Sequence, residues 1–214
     1  TSQVGVIAGA SAAAIMIPVG IVAGGVYMHK RHKRQEQDRV LMEGGGGNDI
    51  LVMVEAFIPS IFDGGQRFLG LTGELLSPAE LSGSTLPQVG VAYAAKLANL
   101  LADAVEAQAL ARGAQRVVVL TVPDIGVTPR YMARQRWMAG FHAAGAAQLK
   151  GQVDEWTAAF NAQLQTRFAD HSRVVVVDFH AELNAWVTNP ALHGFTQTTT
   201  PACPVLGDPG HFPA

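Results

Sequence analysis

The fold assignment rests on the stretch Arg116-Val117-Val118-Val119-Leu120-Thr121-Val122-Pro123-Asp124-Ile125-Gly126-Val127-Thr128-Pro129. Its first six residues, Arg116 to Thr121, form a β-branched run around Val117-Val118-Val119, which reads as a buried strand. The Pro, Asp, Gly and Thr that follow are loop chemistry. Upstream, Gln88 to Arg112 places Val91, Leu97, Leu100, Leu101, Val105 and Leu110 near helical spacing, and Gly113 sits where a helix C-cap glycine belongs. Downstream, Gln148 to Phe168 is predicted helical, with Trp156, Phe160 and Leu164 at four-residue steps on one face. Arg173 to Phe179, with Val174-Val175-Val176-Val177, is a second buried strand, and His180 to Val187 a short helix. Toward the N-terminus, Val40-Leu41-Met42 is a short strand ended by Gly44-Gly45-Gly46-Gly47, and Asp49 to Phe62 reads as helix. Asp63 to Pro87, rich in Gly, Ser and Pro, reads as loop with one helical turn. Short apolar strands alternating with long amphipathic helices predict an α/β protein with a parallel sheet covered on both faces. Such sheets bind ligands at the carboxyl ends of their strands, which directs attention to Gly46 to Asp49, Pro123 to Thr128, and Asp178 to His180.

Composition narrows the function classes. The chain has 214 residues, 49% hydrophobic and 15% charged, enough apolar surface for a real core and not a disordered composition. Lys and Arg number 15 against 17 Asp and Glu, a net charge of −2, and aromatic residues make up 7%. A nucleic-acid partner is not expected from that balance. A single cysteine, Cys203, rules out an intrachain disulfide and a Cys-based zinc cage. The histidines His29, His32, His142, His171, His180 and His193 show no metal-ligand spacing, so neither a metal nor a cofactor is expected. The chain begins at Thr1 and ends His211-Phe212-Pro213-Ala214, which suggests a fragment or a processed chain.

Residues 4–28 carry no charge and are followed by His29-Lys30-Arg31-His32-Lys33-Arg34. An uncharged run of this length with a basic flank is a transmembrane signal. Gly5, Gly9, Pro18, Gly20, Gly24 and Gly25 break the run into short pieces, and Ala contributes little hydrophobicity, so a membrane span is the disfavoured reading. Residues 1–34 are therefore set apart from a domain over residues 35–214.

Several residues have chemical potential. In Gly46-Gly47-Asn48-Asp49 the glycines let backbone approach a ligand, and the Asn48 amide can donate to a developing oxyanion. Read locally, the same residues are a turn capping the next helix. Asp208 and His211 form an Asp-x-x-His pair in which a carboxylate can fix the imidazole tautomer, unless the pair belongs to a solvated tail. Gly9-Ala10-Ser11-Ala12-Ala13 approximates a nucleophile elbow, with Ser11 as an alternative nucleophile if Val4 to Ala8 is a strand; a small serine in an Ala/Gly run is the plainer reading.

Together these pieces resemble the SGNH, or GDSL-type, esterases and lipases. Glu43-Gly44-Gly45-Gly46-Gly47-Asn48-Asp49-Ile50 after a strand is similar to the family's third block, and Arg112 to Pro129 to its next helix–strand–loop unit. Trp156 to Leu164 resembles the family's F-N-x-x-L helix. Asp178-Phe179-His180 through Asn189-Pro190 to Phe195 resembles its D…NP…GF segment, and Thr200-Pro201-Ala202-Cys203 its T-P-A-C. The resemblance spans about Gln35 to Cys203. It implies a three-layer α/β/α sandwich of flavodoxin-like type that hydrolyses carboxylic esters of small molecules or lipids. It casts Asn48 and Gly46, with Gly9 from a second-block remnant, as the oxyanion hole, and Asp208 and His211 as the acid and base. The family's serine stands in a Gly-Asp-Ser block on a first strand. No Gly-Asp-Ser occurs here, so that strand and its nucleophile are expected upstream and the chain is expected to be inactive or nearly so. The family's T-P-A-C also implies a partner for Cys203 downstream. On the same reading Ile17-Pro18 to Arg34 is a connection to the Asn48 strand. Localisation by family habit is secreted or periplasmic. The alternatives are an α/β-hydrolase-like enzyme using Ser11, and a single-pass membrane protein with a non-catalytic esterase-like binding domain.

Overall fold

The computed structural model describes residues 15–18 and 40–200. Four parallel strands form one sheet in the order β1-β2-β3-β4: β1 (Ile15–Pro18), β2 (Val40–Gly44), β3 (Arg116–Leu120) and β4 (Val174–Val177). The register sets Pro18 beside Gly44, Gly44 beside Leu120, and Leu120 beside Val177, so all four strands end at one level. This is the parallel α/β architecture that the alternating pattern predicts.

The segments after the strands supply eight α-helices among the described residues: α1 (Gly47–Phe57), α2 (Ser60–Asp63), α3 (Gln66–Thr72), α4 (Pro78–Leu81), α5 (Leu86–Ala104), α6 (Pro129–Ala139), α7 (Ala143–Phe168) and α8 (Phe179–Thr188). Helices α5 and α7 pack along each other because Gly90 lacks a side chain. A Cβ there would lie 2.2 Å from Trp156 Nε1, and the Trp156 indole donates to the Pro87 carbonyl at 3.2 Å. Val117 and Val119 are fully buried beneath this layer with Leu97, Leu101, Leu149 and Leu164. Burying each such side chain contributes about 1.5–3 kcal/mol. On the opposite face of β4, Val175 is 54% exposed and Val177 37%.

Several boundaries differ from the sequence reading. The helix over 49–62 divides: α1 stops at Phe57, and α2 starts after Pro59, whose ring removes a backbone donor. The loop over 63–87 holds two helices, α3 and α4. Helix α3 follows the left-handed Gly65 and is fixed by the buried Phe68 and Thr72. The helix over 88–112 begins at Leu86 behind a Thr85–Gln88 capping box, widens into a π turn at Val105–Ala109, and closes with a 3-10 turn, Leu110–Arg112. Gly113 ends it at φ 92°, the left-handed conformation expected of a C-cap glycine. Ile17 and Pro18 belong to β1 rather than to the connection that follows it. Ile15–Pro18, from the middle of the uncharged stretch, is thus a strand and not part of a spanning helix. Among the described residues no helix is long and apolar enough to cross a membrane.

Candidate functional site

Because the strands end flush, the segments after them meet at one edge. Gly45 to Asp49 after β2, Thr121 to Ile125 after β3, and Phe179 after β4 line a cleft of about 340 Å³. The strand-end segments that the sequence reading singles out are therefore brought together.

The turn after β2 is held from below. Gly46 has φ 91° and precedes the first turn of α1, and the Ile50 N–H closes that turn onto the Gly46 carbonyl at 2.9 Å. A Cβ at Gly46 would lie 2.5 Å from the Phe160 ring and 2.7 Å from Val122 Cγ2. Glycine is thus required twice, by the left-handed backbone and by the close approach. At the next two positions, Gly47 and Asn48 open α1, where backbone N–H groups have no helical partner. Asn48 lies on the cleft wall with its side chain exposed, and it makes no hydrogen bond to another described residue. The following residue, Asp49, faces inward. Burial pushes its carboxyl above the usual aspartate value, against the pull of the backbone N–H groups of Asp49 and Gly46.

The loop after β3 is held by one side chain. Asn161, buried on α7, accepts from the Val122 N–H at 2.7 Å and donates from Nδ2 to the Val122 carbonyl at 2.9 Å. This pairing satisfies both polar groups of a buried backbone residue. Phe160 and Asn161, adjacent on α7, therefore seat both loops of the cleft. Beyond Val122, Asp124 accepts from the Gly126 N–H at 2.8 Å and starts a 3-10 turn, Ile125–Val127, so this stretch is the shaped crossover its sequence suggests. Thr121 links the two later strand ends: its Oγ1 accepts from the His180 N–H at 3.1 Å and lies 3.4 Å from Asp178 Oδ1.

Gly46 and Asn48 are thus at the cleft. Gly9, Ser11, Asp208 and His211 lie outside the described residues, as does Cys203. No described histidine lines the cleft: His142 caps α7, His171 packs on Phe168, His180 contacts Asn184 and His193 stacks near Trp186. No group of three or more His, Cys, Asp or Glu that could hold a metal occurs among the described residues. Sequence reasoning places Phe160 on one face of its helix with Trp156 and Leu164, quotes Asn161 only inside the F-N-x-x-L resemblance, and gives neither a role at the cleft. Their partners are far along the chain, and the sole local signal is an Asn on the buried face of a helix.

Comparison with known proteins bears on this geometry. No curated protein and no solved structure matches the chain. A family model does match, that of the GDSL-like Lipase/Acylhydrolase family, over residues 6–212. With nearly its whole length matched, the chain belongs to the GDSL-like lipase/acylhydrolase family, whose esterase-type hydrolysis is the activity this cleft has to be read against.

Proposed function

We propose that the chain carries the oxyanion side of a serine carboxylic ester hydrolase acting on a small-molecule or lipid ester. The observation that carries this reading is Asn48, exposed at the N-terminal turn of α1 on the cleft wall, beside a Gly46 turn packed too tightly for any side chain. An amide N–H presented there meets negative charge as it develops on the ester carbonyl oxygen. The open backbone N–H groups of the same helix turn add to it. In this reading a serine Oγ attacks the carbonyl carbon while His211, oriented by Asp208, takes its proton. The tetrahedral oxyanion is held by Asn48 and, from the second block, Gly9. Collapse expels the alcohol, which takes the proton back from His211, and water repeats the cycle to release the acid.

The nucleophile in this reading is the serine of a Gly-Asp-Ser block that these 214 residues do not contain. Labelling with a fluorophosphonate, followed by peptide mapping, tests it. No adduct on the folded chain is the expected result, and an adduct on Ser11 would transfer the attack to the Gly9-Ala10-Ser11 turn. In an ester-hydrolysing form of the protein, Asn48→Ala is expected to lower kcat by about 10²–10³, roughly 3–4 kcal/mol of transition-state stabilisation. Unchanged turnover in that variant would overturn the oxyanion assignment.

A further inference from the structure

A second cavity, of about 300 Å³, opens one loop away from the cleft. Val127 and Pro129 form one wall, Leu183, Trp186 and Val187 of α8 the other, and Phe195 closes an end. It is apolar almost throughout and lies at the small end of the range for ligand pockets. Two of the segments that build it also build the cleft, and the stretch after α8 adds Phe195, Gln197 and Thr198. The β3 loop gives Thr121, Pro123 and Ile125 to the cleft and Val127 and Pro129 to the pocket. The segment after β4 gives Phe179 to the cleft and the α8 residues to the pocket.

Helix α8 explains the continuity. Phe179, Leu183, Trp186 and Val187 stand at i, i+4, i+7 and i+8, one apolar stripe along the helix. Such a stripe normally faces a core, yet α8 has no buried residue. The stripe instead has Phe179 on the cleft and Leu183, Trp186 and Val187 on the pocket, over about 10 Å of helix axis at 1.5 Å of rise per residue. Trp186 is held at its far end by edge-on contact with Phe179 at 5.6 Å and by Phe195 at 5.9 Å. An ester whose carbonyl sits at Asn48 meets this apolar stripe at Phe179, which lines the same cleft.

We propose that this pocket is the subsite for an unbranched alkyl arm of the ester, of medium length, lying along Phe179 and Leu183 and ending against Trp186. The proposal rests on the ester-hydrolase reading for its orientation, but the pocket's affinity for an alkyl chain can be measured without turnover. The test is calorimetric titration of the folded chain with octanoate and with acetate, repeated on Leu183→Trp and on Val187→Trp, either of which fills the pocket. Octanoate is expected to bind at least tenfold more tightly than acetate, and both variants are expected to lose that margin while keeping the parent's thermal midpoint. Equal binding of the two acids, or a margin that survives in both folded variants, would overturn the proposal.

Hydrolysis then separates the two sides of the ester in an active form of the protein. A preference for p-nitrophenyl octanoate over the acetate ester, lost in the variants, supports the pocket as the acyl arm's site. A preference for octyl acetate over ethyl acetate, lost in the same way, supports it as the alcohol arm's site. Hydrolysis with neither preference removes the subsite and leaves the hydrolase reading standing. Octanoate selectivity with no hydrolysis of any ester by a folded form that carries a Gly-Asp-Ser block supports the pocket and removes the hydrolase reading.

Discussion

The Gly46 turn and helix α8 face the same cleft from opposite sides but are supported differently. Under the turn lies Phe160 of α7, a helix that contributes nine buried residues to the core and whose Asn161 holds the adjoining β3 loop. Helix α8 contributes none, and it is held at its start by Asp178, which accepts from the Ala181 N–H at 3.0 Å, and by the Thr121 hydroxyl. The contrast separates two tasks. A group that must meet a charge at a fixed point has to be locked by packing from behind. A wall that only offers apolar surface can rest on the edge of the fold and vary without disturbing the core.

Substitutions on each side can break that contrast. The largest effect is expected from Gly46→Ala, which adds left-handed strain to a 2.5 Å clash with Phe160. The loss is about 2–5 kcal/mol in urea unfolding, and a loss below about 1 would mean that the turn yields. Next comes Asn161→Leu, which strands the Val122 N–H and carbonyl in a buried position at a cost of about 2–4 kcal/mol. Ester turnover is expected to fall with it, since the loop beside Asn48 loses its tether. On the opposite wall Leu183→Ala is expected to cost less than about 1 kcal/mol, because the side chain is only half-buried. A core-sized loss there would erase the distinction between the walls.

The smallest effect is on pH dependence. The Asp49 carboxyl is raised above 3.8 by burial. As pH rises past that value the unfolded chain releases this proton before the folded chain does, so stability declines until the folded group has also ionised. Thermal midpoints of Asp49→Asn should lack that decline across the acidic range; an identical pH profile would place Asp49 in water.

The parts of the molecule legible in sequence are those whose signal is local. The valine runs of β3 and β4, the α5 periodicity and Gly113 read correctly because neighbouring residues decide them. Helix α6 goes unassigned: it carries Arg130, Arg134 and Arg136 and buries only Tyr131, Ala133 and Met138, so no broad apolar stripe marks it. The α3 helix hides in a Gly- and Ser-rich stretch, and tertiary burial of Phe68 overrides that composition. At the site, Asn48 and Gly46 are legible through a turn motif. Asn161 is not, because its partner is a backbone group 39 residues away.

The simple strand order has a consequence for assembly during synthesis. Each described strand pairs with the one made just before it, so every new strand finds its template edge already in place as the chain grows. The crossovers from Gly44 to Arg116 and from Leu120 to Val174 are long, and the helices formed within them shorten the loop that each pairing has to close. The unit of β4 and α8 docks last of these, onto an edge the earlier strands have finished. The α8 wall is therefore the latest addition to a scaffold whose Gly46 turn is already in place.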